Sequence, residues 1–160
     1  MKPIKGAKGR IAFLIDKTEM RLLLETLKLY PVLEGGHQPL SKSQKNAENE
    51  QLLEEALAES RSENKKALDA LMSSKSRFQK IKGHDVYRFS IKISDADWLL
   101  QVLNDIRVGA WVQLGSPDKT NDSFAALDEE TAPSYWAMEV AGHFQMTLLQ
   151  ALTEQGELGS

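Results

Sequence analysis

The amino-acid sequence predicts a mainly helical α+β domain: about five helices packed around a central apolar helix at 97–114, with a small two-stranded ribbon joining 10–16 to 86–93. Two patterns carry this expectation. The stretch DWLLQVLNDIRVGAWVQLG, Asp97 to Gly115, is apolar nearly all the way round a helix, as expected of a helix wrapped by its neighbours or closed by a second subunit. Two short stretches, RIAFLID at 10–16 and VYRFSIKI at 86–93, alternate β-branched or aromatic residues, and strands so far apart in a chain pair most simply with each other. With 160 residues, 41% of them hydrophobic, the chain can bury a proper core and is most simply one domain, 1–160.

Residues 1–8 read as a basic tail. In 10–16, Ile11, Phe13 and Ile15 alternate while the places between are also largely apolar, the mark of a strand covered on both sides. Thr18 is the expected N-cap of the next helix, whose Met20, Leu23, Leu24 and Leu27 share a face. Pro31 disrupts its last turn, and 35–48 reads as a polar loop. The charged region beyond makes apolar contacts at Leu53 and Leu57 and again at Leu68, Leu71 and Met72, but the seam fails at Ser60 and Asn64. Because Ser60-Arg61-Ser62-Glu63 spells a capping box, two helices, 48–59 and 61–76, are expected over one long one. Gly83 closes the helical signal, and 86–93 is a half-exposed strand with Arg88, Ser90 and Lys92 on its polar side. Ser94 and Asp97 suggest a second capping box at the start of the apolar helix, which Gly115 and Pro117 end. The stretch 116–132 is a long connection. The last helix, 133–155, aligns Trp136, Val140, Phe144 and Leu148, and 156–160 is a C-terminal tail.

Asn104, Asp105 and Arg107 stand in the middle of the apolar helix. If they are buried, they need partners, since an unpaired buried amide costs roughly 1–3 kcal/mol and a charge more. Asp105 and Arg107 are two apart and face different directions, so they are not assumed to pair. One reading makes the trio a packing network, with Glu139 of the last helix as a counter-ion; Arg107→Ala then destabilises by about 3 kcal/mol. The other makes it the lining of a cleft in which Arg107 holds an anionic group.

The helix also resembles the signature of a bacterial family of unknown function, matched by Trp98, Leu99, Leu103, Asn104, Asp105 and Arg107, with Asp95 and Asp97 in front. GRIAFLIDKTEMRLLLETL is similar to that family's opening strand and helix, at Gly9, Arg10 and Glu19. Where the family continues with a glycine and a second arginine, this chain has Trp111 and Gln113, which weakens any anion site built on two arginines there. The family's genes often lie beside that of the Clp protease adaptor and beside a metallopeptidase-type gene. The resemblance therefore implies a role linked to protein quality control, with a partner in the Clp proteolysis system; it implies no chemistry.

Net charge is −3, but the halves differ. Up to Ser94 there are 18 basic against 12 acidic residues, and from Asp95 onward 2 against 11. Such polarity steers partners rather than setting folds. The absence of cysteine removes disulfides and thiolate chemistry, and with no signal peptide or membrane span in the sequence the expectation is a cytoplasmic protein without a membrane partner. His37, His84 and His143 have no metal-ligand spacing, and no phosphate loop or nucleophile motif is present, so no catalytic, cofactor or metal residues are assigned and an enzyme ranks last. The leading expectation is a protein-interaction or regulatory accessory domain, with a homodimer as one form of assembly. The runner-up is a nucleic-acid-binding module. Its basic patch is Lys2, Lys5, Lys8 and Arg10 before the first strand, Lys75, Arg77, Lys80 and Lys82 before the second, and Arg88 and Lys92 on it, with Tyr87 and Phe89 nearby for stacking.

Overall fold

The computed structural model describes residues 1–32, 47–74, 77–115 and 129–158. The chain is α+β and mainly helical, with four helices among the described residues and a four-stranded sheet instead of five helices and a two-stranded ribbon. In chain order the elements are β1 (Lys2–Ile4), β2 (Arg10–Asp16), α1 (Lys17–Leu27), α2 (Ala47–Ser73), β3 (Phe78–Lys80), β4 (Val86–Lys92), α3 (Ile93–Gln113) and α4 (Ala132–Leu158).

The expected pairing of the two longer strands is present: β2 runs antiparallel to β4, with Phe13 opposite Phe89 and Arg10 opposite Lys92. Two short strands extend it at the edges. β1 forms from part of the expected tail and pairs with β2, and β3 pairs with β4, giving the order β1-β2-β4-β3. At three residues each, β1 and β3 are too short to leave a periodic signal, and only their neighbours make them strands.

Alternation divides the sheet into two faces. Ile11, Phe13, Ile15, Phe89 and Ile91 pack under the helices with Leu23 and Leu27 of α1, Leu99, Val102 and Ile106 of α3, and Phe144 and Leu148 of α4. The opposite face takes Arg10, Ala12 and Leu14 with Lys92, Ser90 and Arg88, following the same register.

Several expected boundaries move. Asp16, not Thr18, caps α1: it accepts from the Glu19 N–H at 2.8 Å, and Glu19 reaches back to the Asp16 N–H, a complete capping box. α3 begins directly after β4, at Ile93, without a side-chain cap. α4 continues to Leu158, into the expected tail, and its buried line is Ala137, Ala141, Phe144, Leu148 and Ala151, which leaves Trp136 62% exposed. α2 is one helix through the expected break. No glycine or proline interrupts it there, and Asn64, one of the polar residues at the gap in its seam, reaches α3: its Nδ2 donates to Gln101 Oε1 at 3.2 Å. Its C-terminal half buries Leu68 and Leu71, while Leu52, Leu53 and Leu57 stay exposed. The expected loops 35–48 and 116–132 lie largely outside the described residues; inside them, 47–48 open α2, and α4 begins at Ala132.

Candidate functional site

α3 is not wrapped. It touches the other three helices and β4 without being enclosed by them: its buried residues, from Ala96 through Ala110, form one arc, whereas Val108, Trp111 and Val112 stand more than a third exposed on the other side. The apolar surplus that made the helix look central therefore lies on the protein's surface. Asn104 and Arg107 are exposed too, and only Asp105 is half-buried.

This divides the polar trio between two neighbours. Arg107 donates from Nε to Gln145 Oε1 of α4 at 3.1 Å and from Nη2 to Asn104 Oδ1 at 2.8 Å, and Gln145 Nε2 lies 3.5 Å from the same Asn104 oxygen. The guanidinium is thus held by two amide oxygens. Glu139, expected as its counter-ion, shares the same open groove but forms no ion pair with it among the described residues. Being exposed, the network cannot carry the 3 kcal/mol expected of a buried ion; an exposed residue so held contributes about 0.5 kcal/mol or less. The groove, about 640 Å³, runs along α4 past Met138, Glu139, Gly142, Met146 and Leu149. The Arg107 stem passes beside Gly142, where an added Cβ would meet Arg107 Cδ at 3.5 Å, an ordinary contact.

Asp105 turns the other way. It accepts from the Val32 N–H at 3.1 Å, beside the buried Tyr30 and within the field of Arg61. Burial pushes its carboxyl above the usual range, against the pull of the Val32 amide and of the Arg61 charge. A carboxyl whose pKa is higher folded than unfolded lends stability when protonated, and that contribution is lost as pH rises through the folded value. Asp105→Asn, whose amide oxygen can still accept from Val32, is expected to raise the urea midpoint at neutral pH, with a gain of less than about 1 kcal/mol. The gain should vanish below the ordinary aspartate range. An equal gain at both pH values would show that the carboxyl's ionisation is not the cause.

The basic residues behave differently. Arg10, Arg77 and Arg88 converge on one depression of about 500 Å³ on the outer sheet face, completed by Ala7, Gln79, Ser74 and Ser90. Lys2 lies on the same face, opposite Leu14 in the register, and Lys92 opposite Arg10. Lys5 and Lys8 are exposed in the β1–β2 connection, Lys82 in the β3–β4 turn, and Lys80 sits opposite Tyr87 on the helix-facing side of the sheet's edge. Lys75 is outside the described residues.

The same register removes the stacking platform expected beside the patch. Tyr87 and Phe89 alternate with Arg88 and Ser90, so they face the helices, and Phe89 is 1% exposed between Phe13 and Phe78. Ser74, Gln79 and Ser90 were not legible as site residues: a serine or glutamine carries no charge signal, and only strand register brings them beside the arginines.

No family model, curated protein or solved structure matches the chain. Among the described residues no group of three or more His, Asp or Glu could hold a metal ion, and no described helix is long and apolar enough to cross a membrane.

Proposed function

We propose that the chain is a protein-interaction domain and that the outer surface of the α3–α4 pair is its docking face. The supporting observation is apolar exposure on two adjacent helices that flank a groove: Val108, Trp111 and Val112 on α3, with Leu149 and the 69% exposed Met146 on α4. Methionine lining the groove, with an exposed tryptophan on the neighbouring helix, suits a partner's side chains, because one adapts its shape and the other supplies a large rigid surface. Arg107 adds a cation paired with no carboxylate among the described residues. The partner's contact segment is accordingly a helix with an apolar stripe and a carboxylate within reach of Arg107.

The resemblance suggested by the helix motif, to a family encoded beside the Clp adaptor, makes purified Clp adaptor the first probe, and a second copy of this chain the next. Met146→Glu and Arg107→Glu, both at exposed positions, are expected to change stability by no more than about 0.5 kcal/mol. Each should weaken partner binding by about tenfold or more, because a new carboxylate is either desolvated or repelled at the contact. A photo-crosslinker at Val108, read by mass spectrometry with both variants as controls, identifies the partner and its contact. Crosslinking unchanged by both substitutions would remove this face as the docking surface. Light scattering at high protein concentration separates self-association from capture of another protein.

A further inference from the structure

The depression on the outer sheet face carries a separate property. We infer that Arg10, Arg77 and Arg88 form a binding pocket for a phosphoryl group, a terminal phosphate in place of a nucleic-acid chain read by stacking.

Donor supply is the first argument. Arg10 is oriented by Ser90, donating from Nε to its hydroxyl oxygen at 2.9 Å and from Nη2 to its carbonyl at 3.1 Å. A guanidinium has five N–H groups, so three remain on Arg10, and the Ser90 hydroxyl, which accepts from Nε, keeps its own proton to donate. Arg88, across the same depression, makes no hydrogen bond or ion pair among the described residues. Arg77 also lines the depression, but its Nη1 is buried on the Asp95 side, 3.7 Å from Oδ2 and without a hydrogen-bond partner, so it adds charge to the pocket and this nitrogen is not one of its donors. The Asp95 carboxylate is itself engaged by the Trp98 indole N–H at 3.1 Å.

Charge balance is the second. No carboxylate lines the depression, and Lys92 stands directly across the strands from Arg10, an arrangement of like charges that destabilises a sheet. An anion seated among the three guanidiniums removes that repulsion. A tetrahedral dianion suits the site best, since forked guanidinium donors with a hydroxyl match its several oxygens. With the rings of Tyr87 and Phe89 on the other face of the sheet, the pocket offers a base nothing to stack on.

The probe is inorganic phosphate, titrated against sodium chloride at matched ionic strength and followed by the side-chain N–H signals of Arg10 and Arg88 and the Ser90 amide. Saturable, phosphate-specific shifts below about 10 mM are expected, together with a raised thermal midpoint. Arg88→Gln removes a charged fork that makes no hydrogen bond or ion pair among the described residues, so it should fold normally and weaken phosphate binding by about tenfold or more. Arg88→Lys, which keeps charge but not the fork, should fall between the two. Shifts that follow ionic strength alike in phosphate and chloride, or an affinity unchanged in Arg88→Gln, overturn the pocket. A single-stranded oligonucleotide distinguishes the source. Competition by a 5′-phosphorylated strand but not by its unphosphorylated twin supports a terminal phosphoryl group. Equal competition by both, insensitive to Arg88→Gln, shows a general polyanion surface and overturns the proposal.

Discussion

Phe89→Ala is expected to remove about 3–5 kcal/mol of stability, a large part of the roughly 5–15 kcal/mol that holds an ordinary domain folded. Phe89 sits on β4, an inner strand of the sheet, opposite Phe13 on one side and Phe78 on the other. Its ring centroid is 6.1 Å from that of Phe13 and 4.8 Å from that of Phe78, both stacked. Truncation therefore removes buried apolar surface, leaves a cavity at the junction of sheet and helices, and deletes two ring contacts worth about 0.5–1.5 kcal/mol each. Phe89→Leu, which keeps most of the volume, should lose much less. Urea unfolding with an unchanged slope is the measurement. A loss below about 1.5 kcal/mol for the alanine variant would show that the three rings are not the centre of the core.

Gly6→Ala is the second large effect, expected near 2–3 kcal/mol. A Cβ built on Gly6 would stand 2.5 Å from the Arg10 carbonyl oxygen, 3.1 Å from its carbon and 3.3 Å from the Ala12 nitrogen. These are backbone atoms of β2, which cannot swing aside as a flexible side chain can. The β1–β2 connection must lift instead, which weakens the pairing of β1 and disturbs the strand end that carries Arg10. Gly142→Ala is the control. Its Cβ meets only Arg107 Cδ, at 3.5 Å, and alanine favours the helix by up to about 1 kcal/mol over glycine. Gly6→Ala unfolding at the wild-type midpoint would mean that the chain does not need this close approach.

How much of this was legible follows from the range of each signal. The strands 10–16 and 86–92 were readable because a period of two with β-branched and aromatic residues is a local property. Their mutual pairing followed from having no other long strand to choose. Thr18 reads as the cap because Asp16 ends a strand, but Glu19 three residues beyond Asp16 completes a capping box that is itself visible in the sequence. The expected break in α2 rests on polar residues in an apolar seam, which resemble a helix boundary. Asn64 is where α2 meets the polar side of α3, at Gln101, and a sequence does not say which helix lies opposite.

The candidate sites show the same division. Charge is a one-dimensional quantity, so Arg10, Arg77 and Arg88 could be named as basic residues from the sequence alone. That they share one depression with Ser74, Gln79 and Ser90, while Tyr87 and Phe89 face away, is decided by strand register, since a shift of one residue would reverse every side chain. Asn104, Asp105 and Arg107 could likewise be recognised as anomalous in an apolar helix. Their burial could not, because an apolar pattern all round a helix means either enclosure or an exposed docking face, and only the packing of neighbouring helices chooses between them. The sequence by itself determined the α+β class, the paired long strands, the apolar character of α3 and the residue types available for chemistry, all of which depend on near neighbours along the chain. Tertiary structure alone decided the edge strands, the split of the polar trio between Val32 and Gln145, the exposed face of α3 and the arginine pocket. Each of these depends on contacts between residues remote in sequence, whose geometry the chain acquires only on folding.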